Sequence, residues 1–327
     1  MENRKNNITE FSVKFKVDRK GNLIREQKSN VPSTEERLDV EKLSQGQKIR
    51  KFLGYFVVYA LLVILAIAII FPFYWMINSS LKDLAEYKRS IPTFFPEVVH
   101  FENYLEAFEK ADLGKLFMNT LFVGLVSTLL SLVVTILSAF AFARLEFKGR
   151  DAMFGALLMT MMIPGELFTI TNYETVVVHF DWGNTFTALI VPFLVSTYYI
   201  YLLRQNFKQV PNELYLAAKV DGTSDMKYLI KVMIPLALPT IITITILKMM
   251  GSWNSYMWPK LVANDEAHRL ITNGLREMDF SATGDSNRID YPRQMAAVTM
   301  VSIPLFLVFI FLRKYIMKGV SRSGIKG

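Results

Sequence analysis

The sequence predicts an all-α membrane protein with six transmembrane helices. Three observations lead there. Of 327 residues, 52% are hydrophobic, and the mean hydropathy is +0.27, more apolar than soluble proteins of this size. Several apolar runs reach the length of about 20 residues that crosses a hydrocarbon core of about 30 Å. The pattern lacks the short alternating strands of an outer-membrane barrel.

Residues 1–54 read as a polar tail with 13 Lys/Arg and 8 Asp/Glu. Within it, Phe11 to Val17 alternates apolar and polar residues. That piece is either a strand or part of a disordered tail. No cleavable signal peptide is expected, because the first apolar run is too long and has no small-residue cleavage site. Lys48, Arg50 and Lys51 form a basic collar before span one, Tyr55 to about Ile77. Pro72 is expected to kink that span, and Tyr74 and Trp75 mark an interface. The polar loop that follows contains Pro92, Pro96 and an acidic amphipathic helix, Glu102 to Lys110.

Span two is Leu116 to Phe142. Its Ser127, Thr128, Ser131, Thr135 and Ser138 are small hydroxyl residues that let helices approach closely. A basic turn, Arg144 to Arg150, leads to span three, Ala152 to about Thr171, which Pro164-Gly165-Glu166 interrupts. Span four is Thr185 to about Leu203. A polar excursion, 211–228, precedes span five, Ile230 to about Ser252, with Pro235 and Pro239 near its start. After a 42-residue polar loop, Trp253 to Gln294, span six runs from Met295 to about Leu312. The permease-like body is thus 55–317, and 318–327 is a basic tail.

Orientation follows from the basic residues. Placing both termini inside puts 26 of the 37 Lys and Arg on the cytoplasmic side and 10 outside. The same asymmetry explains the net charge of +8, so no nucleic-acid partner is needed; the partner surface is membrane lipid. The absence of Cys excludes disulfides, thiolate metal sites and thiol redox chemistry.

No P-loop pattern G-x-x-x-x-G-K-[ST] is present, so the chain has no legible nucleotide cradle of its own. His100, His179 and His268 stand singly in loops, without metal-like spacing, and no Ser/His/Asp arrangement is legible. Neither an enzyme nor a cofactor or metal site is expected.

The stretch Pro211 to Pro239 is the unusual one. Pro211 suits a first helical turn, where its missing N–H is not needed. Leu214, Leu216, Ala217 and Ala218 supply apolar and small positions, Asp221-Gly222 is a turn signal, and Thr223 or Ser224 can cap a second helix. Such a hairpin either packs on its own chain or docks on another protein.

Here the sequence resembles a family. Ala217-Ala218-x-x-Asp221-Gly222, followed by Ile234-Pro235-Leu236 and Pro239, is similar to the EAA loop of binding-protein-dependent ABC importer permeases. Further words occur in the family's order: Glu102-Asn103-Tyr104, Asn119-Thr120, Ala141-Phe142-Ala143-Arg144, Phe147-Lys148-Gly149-Arg150, Met162-Ile163-Pro164-Gly165, Trp253-Asn254, Lys318-Gly319 and Gly324-Ile325-Lys326-Gly327. From about residue 55 onward the chain resembles the second, maltose-type, six-span permease subunit; residues 1–54 are not covered.

The resemblance implies a type I ABC importer permease fold with a cytoplasmic EAA coupling helix. It implies a heterodimer with a second permease subunit, an ATPase dimer that uses ATP and Mg, an extracytoplasmic solute-binding protein and a sugar cargo. Glu213, Tyr215, Ala217, Ala218, Asp221 and Gly222 would belong to the ATPase contact, and Gly324, Lys326 and Gly327 would reach toward the ATPase. The loop Trp253–Gln294 would face the binding protein. One departure stands out: the family usually has Glu directly before the two Ala, and here Tyr215-Leu216 stand there. That places the usual ion pair in doubt and suggests a more apolar, aromatic contact.

Two charges fall inside spans, Glu166 and Lys248. Glu166 lies 14 residues from the cytoplasmic start of span three and Lys248 lies 18 from that of span five, about 21 and 27 Å along a helix. An ionisable group there is a functional-site candidate. They pair with each other, or line the translocation path with Trp253 and Asn254, or Lys248 snorkels and Glu166 sits in an aqueous break. Trp253, Tyr256 and Trp258 either stack on sugar rings or form an interfacial belt. Rival readings are a permease of the same family for a non-sugar solute, a secondary transporter, and a membrane-anchored assembly factor. A secondary transporter would show matched broken helices in two halves; the sequence shows Pro-Gly in span three alone.

Overall fold

The computed structural model describes residues 14–17, 23–26, 45–278, 280–282 and 285–321. They fall into two compact units, 1–70 and 71–327.

In the first unit, β1 (Lys14–Val17) pairs antiparallel with β2 (Leu23–Glu26), with Lys14 opposite Glu26. The alternating piece is therefore a strand over its described part. Helix α1, Gln45–Ser80, starts in this unit and ends in the second. At 36 residues it is about 54 Å long and exceeds a hydrocarbon core. Its run from Phe52 to Ile70 is almost wholly exposed, an apolar surface suited to lipid or a partner helix. The helix continues through Pro72, so the expected kink does not end it.

In the second unit, short α2 (Leu84–Tyr87) and α3 (Glu102–Lys110) precede α4, Leu113–Arg144. Helix α4 is the axis of the unit. Its buried Thr120, Gly124, Ser127, Thr128, Ser131 and Thr135 form one small-residue stripe. A Cβ on Gly124 would sit 2.9 Å from the Met249 sulfur, so the stripe sets how closely α4 meets the helix that carries Met249. That helix is α11 (Ile234–Trp253).

Between them the chain is broken twice. Helix α5 (Arg150–Thr160) meets a second arm, Gly165–His179, at 85°. That arm is a 3₁₀ turn at Gly165–Phe168, then α6 (Thr169–Tyr173), then a π turn at Glu174–His179. The expected interruption at Pro164 is therefore a near right-angle bend. Helix α7 (Phe186–Ile190) and the 3₁₀ turn Val191–Phe193 meet α8 (Thr197–Lys208) at 44°. The span expected over 185–203 thus carries a second break that the sequence reading did not include. Pro192 begins it, and Ser196 caps α8 by accepting from the Tyr199 amide.

Helices α9 (Asn212–Val220) and α10 (Asp225–Tyr228) form the excursion, and a π turn, Leu229–Met233, joins α10 to α11. Beyond α11, the expected polar loop is itself folded. It holds α12 (Met257–Val262), α13 (Ile271–Glu277) and the hairpin of β3 (Ser281–Ala282) with β4 (Asp285–Ile289). Helix α14 (Tyr291–Ser321) follows. The β3–β4 pair is a short addition to an otherwise helical unit. By length and composition, four described helices can cross a membrane, or up to six if each bent pair is one span.

Two buried arginines join α4 to α8. Arg144, at the last turn of α4, donates from Nη2 to the Phe207 carbonyl at 2.7 Å and to the Val210 carbonyl, and from Nη1 to Asn212 Oδ1 at 3.2 Å. Arg204, near the end of α8, donates from Nε to the Phe142 carbonyl at 3.1 Å and stacks 3.8 Å over Phe154. Each helix thus supplies a cation to carbonyls at or just beyond the C-terminal end of the other, where the helix dipole also favours positive charge. Arg144→Met should destabilise the detergent-solubilised protein by about 3 kcal/mol. Thermal denaturation should show the lowered midpoint, with Arg144→Lys recovering part of it; an unchanged midpoint in both variants would remove this link from the account of the fold.

Candidate functional site

Two places gather the residues that the sequence singles out. The first is the hairpin of α9 and α10. Its turn is a complete helix stop. Asp221 ends α9, Gly222 takes φ +72°, the Gly222 amide donates to the Lys219 carbonyl at 3.0 Å, and the Thr223 amide donates to the Ala218 carbonyl at 2.8 Å. This is a Schellman closure, which needs a residue at ease in the left-handed region. Ser224, rather than Thr223, then caps α10 by accepting from the Lys227 amide.

Tyr215, half-buried, turns its hydroxyl toward its own hairpin. Its hydroxyl donates to Asp225 Oδ1 at 2.7 Å, and its ring meets Tyr228 edge-on at 5.2 Å. Lys219 Nζ lies 2.7 Å from the same carboxylate oxygen and 5.5 Å from the centroid of the Tyr215 ring. Its hydrogen bond to Asp225 holds the Lys219 ammonium above the ordinary lysine range. The three residues clamp α9 onto α10. What faces outward is Glu213, Leu214, Leu216, Ala217, Val220 and Asp221, with Val220 88% exposed. Ala217, Ala218 and Asp221 also line a cleft of about 290 Å³ beside α10. Arg144 reaches the start of this hairpin through Asn212.

The second place is a cavity of about 320 Å³ beside α11. Lys248 stands in it, about 21 Å along α11 from Ile234. Its Nζ donates to the Phe193 carbonyl at 2.6 Å, one of the groups freed by the 44° break. Glu166 is elsewhere, exposed in the 3₁₀ turn after the 85° bend, and makes no ion pair with Lys248 among the described residues. The pairing expectation is therefore not met.

Trp253 is core, not path: it is buried with Leu116 and Ile271, and its ring lies 5.7 Å from Phe117. Asn254 donates back to the Met250 carbonyl at 2.9 Å and lines a separate cavity of about 490 Å³. Trp258 lines the Lys248 cavity and donates from Nε1 to the Ala188 carbonyl at 2.9 Å. Gly324, Lys326 and Gly327 lie outside the described residues.

Sequence reasoning missed the cavity's hydroxyl residues as a group. Ser127 comes from α4, Ser196 and Tyr199 from the broken span, and Ser252 and Ser255 from the end of α11. Pro192 followed by Ser196-Thr197 was the available signal of a stop and a new cap. It missed, too, that Asn119 pins the outer segment: its amide donates to the Ala267 and Arg269 carbonyls at 2.9 and 3.0 Å, and the Ile271 amide donates to Thr120 Oγ1 at 2.8 Å. Among the described residues no cluster of His, Asp and Glu is placed to hold a metal.

Comparison with known proteins agrees with this architecture. The family model for binding-protein-dependent transport system inner membrane components matches residues 131–322. The arabinooligosaccharides transport system permease protein AraQ of Halalkalibacterium halodurans is 29% identical over 266 residues, 80% of this chain and 93% of that protein. The melibiose/raffinose/stachyose import permease protein MelC of Bacillus subtilis is 31% identical over 269 residues, 81% of this chain and 94% of that protein. In fold, the chain is similar to one in the crystal structure of a bacterial ABC transporter involved in the import of the acidic polysaccharide alginate. The TM-score is 0.73 at 22% identity, covering 84% of this chain and 98% of that one. The chain therefore belongs to the family of binding-protein-dependent transport system inner membrane components, and is a membrane-spanning permease subunit of an ABC importer.

Proposed function

We propose that this permease passes a sugar, an oligosaccharide, from an extracytoplasmic solute-binding protein to the cytoplasm by alternating access. It works as one half of a heterodimer with a second permease, driven by an ATPase dimer that consumes ATP with Mg. Both termini and the α9–α10 hairpin face the cytoplasm, in line with the distribution of Lys and Arg.

The observation that carries this reading is the hairpin. It presents Leu214, Leu216 and Val220 to solvent on a clamped scaffold. Large apolar side chains exposed outside the bilayer suit a protein partner, and an ATPase is the partner that a transport chain without a P-loop requires. Motion imposed on α9 reaches α11 through the α10–π turn junction and α4 through Arg144. The sugar assignment is supported by the names of the relatives and by a cavity whose Ser, Tyr and Trp side chains suit a polyol.

Gly222→Pro forbids the positive φ and should leave membrane insertion intact while lowering uptake and transport-stimulated ATP hydrolysis at least tenfold in proteoliposomes; normal uptake would falsify the coupling role. Asp225→Ala, which releases both Tyr215 and Lys219, should reduce uptake per ATP hydrolysed severalfold. An unchanged ratio would make the clamp irrelevant to coupling.

The chain's lack of Cys offers a test of orientation. Lys148→Cys, in the exposed turn after α4, should react with a membrane-impermeant maleimide in inside-out vesicles only, and Ile91→Cys, at an 84% exposed position, in right-side-out vesicles only. Reaction from the same side for both would refute the topology.

A further inference from the structure

The Lys248 cavity has a property that a neutral sugar does not call for. Its lining contains the ammonium and five hydroxyl side chains, Ser127, Ser196, Tyr199, Ser252 and Ser255, but no Asp or Glu. The polar partner of Lys248 is a neutral carbonyl, that of Phe193. An ammonium has three donors, so two remain for a ligand after that bond. A charge held at membrane depth without a counter-ion is unfavourable unless a mobile one arrives.

The neighbouring cavity repeats the pattern. Arg276 lines it, with its guanidinium 4.4 Å from the centroid of the Tyr256 ring, and Lys260 Nζ lies 5.6 Å from the same ring. That lining also lacks a carboxylate, and neither Lys260 nor Arg276 makes an ion pair among the described residues. Hydrogen bonding from Lys260 and Arg276 holds the Tyr256 phenol below its ordinary range, as expected of a positive local field. Residues 254–256 join the two places: Asn254 and Tyr256 line one cavity and Ser255 the other.

We infer that the Lys248 cavity is a binding site for the anionic group of an acidic sugar, with Arg276 and Lys260 forming an approach field at its outer side. This rests on the importer reading above and narrows its cargo. Lys248 supplies the charge, the hydroxyls receive the ring substituents, and Trp258 gives the sugar an apolar wall. The shared chemistry is an oxyanion, which a uronic acid carboxylate or a sugar phosphate supplies.

Calorimetric titration of the assembled importer in detergent, without its solute-binding protein and without ATP, tests the site directly. The probes are digalacturonate against its methyl diester, and glucose 6-phosphate against glucose. One acidic probe should bind at least tenfold tighter than its neutral counterpart, and which pair shows the preference identifies the oxyanion. Lys248→Gln keeps a donor for the Phe193 carbonyl and should erase the preference; Lys248→Arg should retain most of it. Equal binding within both pairs, no binding of either acidic probe, or a preference that survives Lys248→Gln would each overturn the proposal. Because the titration needs no turnover, loss of coupling in the hairpin variants does not affect it. An importer that binds the neutral member equally well keeps the transport function and loses only the acidic cargo.

Discussion

The structure hangs on the exchange of arginines between the C-terminal ends of α4 and α8. Both helices end with carbonyls that lack an amide within the helix, although the Phe207 carbonyl also receives the Val210 amide at 3.3 Å. Water could satisfy them, but Phe207 is fully buried and Phe142 nearly so. Arg144 and Arg204 act reciprocally: Arg144 Nη2 reaches the Phe207 and Val210 carbonyls at and just past the end of α8, and Arg204 Nε reaches the Phe142 carbonyl of α4. Asp151 lies 3.7 Å from Arg204, whereas Arg144 is held by carbonyls and an Asn amide oxygen. The bonding is directional, so the helices cannot slide past each other without stranding buried charge. Arg144 then extends the link to Asn212, the first residue of α9. The hairpin is thereby joined to the central helix of the unit by more than its connecting backbone.

The hairpin solves a related problem within itself. Four residues of α10 cannot form a stable helix alone. They are held by the Ser224 cap, the Schellman stop of α9 and the Asp225 carboxylate that receives both Tyr215 and Lys219. Tyr228 is buried among Phe140, Leu203 and Phe207, so the clamp closes onto the same core that the arginines frame. Leu216 stands directly before the two Ala and is exposed. The hairpin turns Tyr215 onto Asp225 and leaves Leu214, Leu216 and Val220 outside beside Glu213 and Asp221.

Much of this was legible in the sequence, for identifiable reasons. Long apolar runs report spans because the bilayer demands them, and Asp221-Gly222 reports a turn because few residues accept φ +72°. The bend at Pro164-Gly165 carried its own signal. The bond of Tyr215 was not legible because its partner, Asp225, lies across a turn whose geometry alone brings the two together. Trp253 looked interfacial by position, but α13 folds back over it and Ile271 joins its cluster. That return is held by Asn119 and Thr120, about 150 residues earlier in the chain; hydropathy carries no trace of such a contact. Glu166 and Lys248 both fall in the outer part of their spans, yet depth does not fix azimuth, and the 85° bend sends Glu166 elsewhere.

The break in span four shows why Lys248 stands where it does. A broken helix at membrane depth frees carbonyls that lipid cannot satisfy, so the break must face protein or water. Lys248 meets one of them, at Phe193, from a helix packed alongside. The small residues of α4 supply the rest of the condition. Ser127 belongs to the stripe that brings α4 close to α11, and it also lines the cavity. Close packing at Gly124 and open space at the break are thus produced by the same helix within one turn of each other. A larger apolar residue at 127 would fill the cavity and leave the bend without its polar wall. The cavity is therefore a consequence of how the break is satisfied, and a ligand that enters it meets a lysine already oriented by the backbone.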